Sequence, residues 1–263
     1  MPLWQNGILD SKLMKRKMPF RILLPEDYSN PQSRFPVLYL LHGLFGSFEN
    51  WTDLTCIAEN PARQGLIIVM PEGENGWYTD GNNSEDRYES YLISELILKV
   101  DEEFRTIPNA KGRAIAGLSM GGYGALKFAL KFPRLFEFAA SISGAFDAPK
   151  WCDELQEEFR ESISRIYGDA VSRIRADNDL SLITKNLSDS EIDNLPFLYF
   201  DCGVNDSFLA ANEKLSGLFA RAGVNHEFYA LPGGHDWDYW DKRSVFLLDL
   251  AFRRLSKPIG LTN

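Results

Sequence analysis

Ser119 lies in the run Ala116-Gly117-Leu118-Ser119-Met120-Gly121-Gly122, which carries the spacing Gly-x-Ser-x-Gly. A serine hydroxyl is a weak nucleophile until a base takes its proton. The flanking glycines let neighbouring backbone pass close to a tight turn, so the serine can be held exposed in a strained conformation. An apolar run, 113–117, leads into the turn and a helical pattern, 121–132, leaves it. The hydroxyl is therefore expected at a helix N-terminus, where partial positive charge favours a developing oxyanion. Such a serine is equipped for covalent attack on an acyl carbon.

The chain has three histidines, so the search for a base is short. His226 falls inside a strand pattern and reads as a strand side chain. His42 ends an apolar run before Gly43 and belongs on the oxyanion side of the site. His235, in Gly233-Gly234-His235-Asp236-Trp237, occupies a glycine-rich loop between the last strand and the last helix. A base falls there when the chain order is serine, acid, histidine. The acid that orients it is sought near the end of the preceding strand, 197–202. Asp201 is within that strand and Asp236 would have to fold back on its own neighbour, whereas Asp206 follows the strand's carboxyl end, where sites of open parallel sheets collect. Two backbone donors are expected for the oxyanion: the N–H of Met120, next to the nucleophile, and that of Leu44 in the loop His42-Gly43-Leu44-Phe45-Gly46. Losing one such donor costs about 10²–10³ in rate.

The elements needed to position these groups are legible as apolar runs at 19–24, 36–41, 66–70, 113–117, 138–143, 197–202 and 226–231. Several are apolar on successive residues, as expected of strands buried on both faces of a mostly parallel sheet. A further strand within 3–13 is expected to pair antiparallel with 19–24, giving about eight. Helical patterns cover 88–104, 121–132, 212–222 and 237–255. Strands alternating with helices predict an α/β fold with helices on both faces of the sheet. No repeat or linker divides residues 1–263, so one domain is expected. Segment 147–195 interrupts the alternation: it is helical and charge-rich (Glu154, Glu157, Glu158, Arg160, Glu161), and reads as an inserted cap. Aromatic residues near the site's mouth (Phe45, Trp51, Trp77, Tyr78, Phe146, Trp151 and Phe208) are candidates for a substrate pocket, with core packing as the alternative for each.

Composition narrows the function. Of the 263 residues 44% are hydrophobic and 25% charged, enough apolar material for a covered sheet, and the net charge is −9. That charge argues against nucleic acid as a partner; the short basic run 12–17 reads as a solvated turn or strand edge. Cys56, Cys152 and Cys202 are odd in number and lack metal-ligand spacing, so neither a disulfide framework nor a metal site is expected. No cofactor is implied. Glu72, Glu74, Asp80, Glu85 and Asp86 gather oxygen donors in one acidic loop with Asn75, Asn82 and Asn83. Their spacing follows no EF-hand pattern, and a solvated loop is the expectation. No apolar run is long enough for a leader or a membrane span, which makes the cytoplasm the simplest location. Oligomeric state is not legible.

Taken together, the sequence resembles the esterase D-like esterases of the α/β-hydrolase superfamily. This group includes carboxylesterases, feruloyl and acetyl-xylan esterases, S-formylglutathione hydrolases and mycolyltransferases. The resemblance rests on Val37-Leu38-Tyr39-Leu40-Leu41-His42-Gly43, Asn50-Trp51, Val69-Met70-Pro71-Glu72-Gly73, residues 116–126, Gly203 to Asp206 and Pro232 to Trp240. It implies an α/β-hydrolase fold, a triad of Ser119, Asp206 and His235, and oxyanion donors at Leu44 and Met120. The implied activity is hydrolysis of a small-molecule ester, short-chain or aromatic in its acyl part, through an acyl-enzyme. Acyl transfer or thioester hydrolysis on the same triad, and a non-catalytic binding protein on the same fold, are the alternatives. The chain departs from the family in having Glu72 where aspartate is common. Leu118 replaces the histidine of formylglutathione hydrolases, and their Thr-Cys after Gly43 is absent; both differences favour a carboxylester over a thioester.

Overall fold

The computed structural model describes residues 4–60, 65–151 and 157–260. Eight strands form one sheet: β1 (Trp4–Ser11), β2 (Arg16–Leu23), β3 (Val37–Leu41), β4 (Ile67–Pro71), β5 (Arg113–Leu118), β6 (Phe138–Ile142), β7 (Phe197–Gly203) and β8 (His226–Leu231). Their spatial order is β1-β2-β4-β3-β5-β6-β7-β8. The β1–β2 and β2–β4 pairings are antiparallel, and every pairing from β4 to β8 is parallel. The expected mostly parallel sheet with an antiparallel start is therefore present, and the basic run 12–17 forms the turn between β1 and β2 and the first residues of β2.

The continuous apolar runs are explained by two cores, one on each face. Along β3, Val37, Tyr39 and Leu41 enter one core while Leu38 and Leu40 enter the other. β4 divides likewise, Ile67 and Val69 against Ile68 and Met70. Side chains of a strand alternate between faces, so a strand covered on both sides must be apolar throughout.

On the first face lie α1 (88–103), α2 (Met120–Lys131) and α7 (Leu209–Ala222). α1 comprises Tyr88–Ser90, a wider π-helical stretch Tyr91–Leu96, and Ile97–Glu103. On the second face, α8 (Trp237–Arg254) buries Tyr239, Trp240, Leu247, Leu248 and Ala251. Between β6 and β7, segment 147–195 supplies α3 (Glu157–Tyr167), α4 (Arg173–Asn178), α5 (Leu180–Asn186) and α6 (Asp189–Ile192), and no strand among its described residues. Cys152 and Glu154 lie outside the described residues. No described helix is long and apolar enough to cross a membrane.

The parallel register brings the carboxyl ends of β3, β5, β6, β7 and β8 to one edge of the sheet. Loops leaving that edge carry Leu44, Ser119, Ser143, Asp206 and His235.

Candidate active site

Ser119 occupies the turn between β5 and α2 at φ 53°, ψ −116°. A non-glycine residue at positive φ is strained, and the surrounding glycines explain how the turn closes. A Cβ at Gly117 would stand 2.5 Å from the Gly121 carbonyl, and one at Gly121 would stand 2.5 Å from Leu41 O and 2.6 Å from His42 O. These are backbone atoms of α2 and of the chain leaving β3, with no flexible side chain to yield. Gly121→Ala is therefore expected to cost about 3 kcal/mol, read as a lower urea midpoint; an unchanged midpoint would mean that the turn has slack.

Three sequence-selected side chains come together here. His235 Nε2 lies 3.1 Å from Ser119 Oγ, and His235 Nδ1 lies 2.8 Å from Asp206 Oδ2. An ionised carboxylate only accepts, so Nδ1 carries the proton and Nε2 is left as the acceptor for the Ser119 hydroxyl. The second oxygen of Asp206 accepts from the Phe208 N–H at 2.8 Å. The Asp206 side chain is fully enclosed. Burial pushes its carboxyl up, but hydrogen bonds from His235 and the Phe208 N–H, the charge of His235 and the influence of the Ser143 hydroxyl outweigh burial and hold it below its ordinary value. The imidazole is held edge-on between Phe208, at 4.8 Å, and Trp240, at 4.9 Å. This arrangement can draw a proton from Ser119 and hold the resulting imidazolium against a buried carboxylate.

The competing groups are engaged elsewhere. Asp236 caps α8, accepting from the Tyr239 N–H at 2.9 Å. Asp201 is buried between Tyr199, Tyr239 and Arg243, each within 2.8 Å of its carboxylate. His226 contacts Ser216 Oγ and Val224 O. His42 is buried beneath the Leu44 loop, its ring nitrogens taken up by Gly43 O, the Gly73 N–H and Glu72. In that loop the Phe45 N–H donates to Asn75 Oδ1 and the Gly46 N–H to Gly43 O, whereas the Leu44 N–H has no acceptor among the described residues. Met120 opens α2, where a helix leaves its first N–H groups outside the helical ladder.

A cavity of about 910 Å³ opens over Ser119 and His235. Of the expected pocket residues, Phe45, Phe146, Trp151 and Phe208 line it. Trp51 does not: its ring is fully buried, its Nε1–H donates to Leu41 O at 3.1 Å, and the neighbouring Asn50 faces the cavity instead. Trp77 and Tyr78 are also buried core residues, Trp77 packing edge-on behind Trp151 at 5.5 Å. Phe159, Trp237 and Trp240 line the cavity and were not singled out by sequence. Trp237 and Trp240 follow His235 closely enough that their place on the first turn of α8 was a usable signal; Phe159 offered only its place on an amphipathic helix.

The acidic loop is solvated only at residues 82–85. Glu74 pairs with Arg16 at 2.7 Å and bonds the Tyr88 hydroxyl, Asp86 pairs with Arg165, and Asp80 accepts from the Ser90 N–H. Arginines from β2 and α3 thus draw the loop against the body. Among the described residues no cluster of three or more His, Cys, Asp or Glu is placed to hold a metal.

Residues 11–245 match the sequence pattern of the family described as "Putative esterase". An acetyl esterase of Caldicellulosiruptor saccharolyticus is 29% identical over 88% of this chain and 91% of its own length. Esterase MT1326 of Mycobacterium tuberculosis is 31% identical over 87% of this chain, which spans only 54% of that longer protein. A solved ferulic acid esterase superposes with a TM-score of 0.84 at 25% identity, covering 96% of this chain and 97% of its own.

Proposed function

The chain belongs to this esterase family and is a carboxylic ester hydrolase; on that premise we propose that it hydrolyses small neutral esters through an acyl-enzyme on Ser119. His235 takes the hydroxyl proton as Ser119 Oγ attacks the ester carbonyl. The carbonyl oxygen becomes anionic between the Leu44 and Met120 N–H groups. His235 then passes its proton to the departing alcohol, and a water attacks the acyl-enzyme by the same route to release the acid. Asp206 keeps the imidazole in the required tautomer throughout. The observation that carries this reading is the unbroken line from Ser119 Oγ through His235 to the enclosed Asp206 carboxylate.

The cavity supports a neutral substrate. Seven of its lining residues are aromatic (Phe45, Phe146, Trp151, Phe159, Phe208, Trp237 and Trp240), and no lysine or arginine lines it among the described residues. We take segment 147–195 as a cap over this cavity, because Trp151 and Phe159 reach the cavity from it. Among the described residues the lining carboxylate is Asp147, and no cation is there to receive the two carboxylates of a glutathione leaving group. Hydrolysis of p-nitrophenyl acetate, p-nitrophenyl butyrate and methyl ferulate is therefore expected, with kcat/KM at least about tenfold above that for S-formylglutathione. The reverse order would contradict the neutral-ester reading, and no turnover of any of them by folded protein would contradict hydrolysis itself.

A further inference from the structure

We propose that Ser143 is a positioning residue for the triad: held by Trp240, its hydroxyl donates to the Asp206 carboxylate and thereby tunes how strongly Asp206 holds His235. This rests on the reading of Ser119, His235 and Asp206 as the catalytic triad.

Ser143 directly follows β6, between the strand ends that carry Ser119 and Asp206. It is fully buried, and at φ 53° it holds a backbone conformation that suits glycine better than serine. Its N–H donates to Asp201 O at 2.8 Å, tying the residue to β7. The Trp240 Nε1–H reaches Ser143 Oγ at 3.3 Å. An indole N–H can only donate, so Oγ is the acceptor in that contact and its single proton must point elsewhere. The acidic groups that sense its hydroxyl are the Asp206 carboxylate and the Cys202 thiol. An ionised carboxylate is much the stronger acceptor. Trp240, which fixes the hydroxyl, also flanks the imidazole of His235. One side chain thus braces both ends of the Asp206–His235 bond.

The titratable groups facing Asp206 are His235, from the loop after β8, and Cys202, from β7. Burial pushes the Cys202 thiol far up, so it carries no charge at neutral pH. Beyond it Asp201 is paired with Arg243 on α8. Removing the Ser143 hydroxyl therefore leaves the Asp206 charge less shared, which stabilises the imidazolium. A base that keeps its proton longer moves the acid limb of the rate profile to higher pH.

The test uses Ser143→Gly and Ser143→Ala, with the rate of Ser119 labelling by a fluorophosphonate followed from pH 5 to 9. That readout needs no knowledge of the natural ester. Both variants are expected to show the acid limb raised by about half a pH unit. Labelling at the acid end should accordingly fall about threefold in both. Glycine relieves the positive-φ strain, so its melting temperature should equal or exceed that of the alanine variant. A merely structural role would make labelling track melting temperature and leave the limb in place; that result overturns the proposal. A wild-type chain that folds but takes no label would overturn the triad reading together with this one.

Discussion

Ser119→Ala is expected to lower kcat/KM for a neutral ester by about five to six orders of magnitude, leaving only the catalysis supplied by binding and the oxyanion donors. The loss is chemical and not structural. Alanine retains the Cβ, so the turn's positive φ and the glycine contacts around it are unchanged. What disappears is one hydroxyl and its contact to His235 at 3.1 Å, worth about 1 kcal/mol to stability. Thermal unfolding should accordingly shift by only a few degrees. His235→Ala is expected to fall nearly as far, and the double variant little further, because the two groups act as a unit. Retention of more than about one part in a thousand of the activity, measured on protein free of wild-type enzyme, would require another nucleophile.

Asp206→Asn carries the second largest effect, about three to four orders of magnitude in kcat. Asparagine is isosteric and can still accept from the Phe208 N–H, so the loop after β7 should keep its course. Its other terminal group then becomes an amide that donates toward His235 Nδ1. The imidazole must answer by carrying its proton on Nε2, pointing at Ser119, and no lone pair remains to accept the serine proton. KM should change far less than kcat, because Asp206 does not line the cavity. The two carboxylates that competed for this role are engaged elsewhere: Asp236 caps α8 and Asp201 is locked with Tyr199, Tyr239 and Arg243. A fall of less than tenfold would mean that another group orients His235.

The residues the structure brings together were legible because their neighbours are punctuation. Glycines bracket Ser119, two glycines precede His235, and Asp206 follows the end of a mostly apolar strand. Such signals are local and report backbone course. The cavity wall was less legible because it depends on which way a ring turns. Asn50 and Trp51 are adjacent on one helical turn, yet the polar residue faces the cavity and the indole fills the core, where its N–H finds the Leu41 carbonyl. Phe159 belongs to an amphipathic helix whose apolar face reads as ordinary packing until the helix is placed beside Trp151. The acidic loop was only partly legible for a different reason. Its neutralising partners Arg16 and Arg165 are distant in sequence, and only folding brings them to Glu74 and Asp86. The π-helical widening at Tyr91–Leu96 left no mark on the helical periodicity of 88–104.

The most direct test of the acyl-enzyme account is to treat the protein with a fluorophosphonate and map the adduct by peptide mass spectrometry. The account predicts one phosphonate per chain, on Ser119, with labelling abolished in Ser119→Ala and His235→Ala. A folded wild-type chain that stays unlabelled, or an adduct on any other residue, would contradict it.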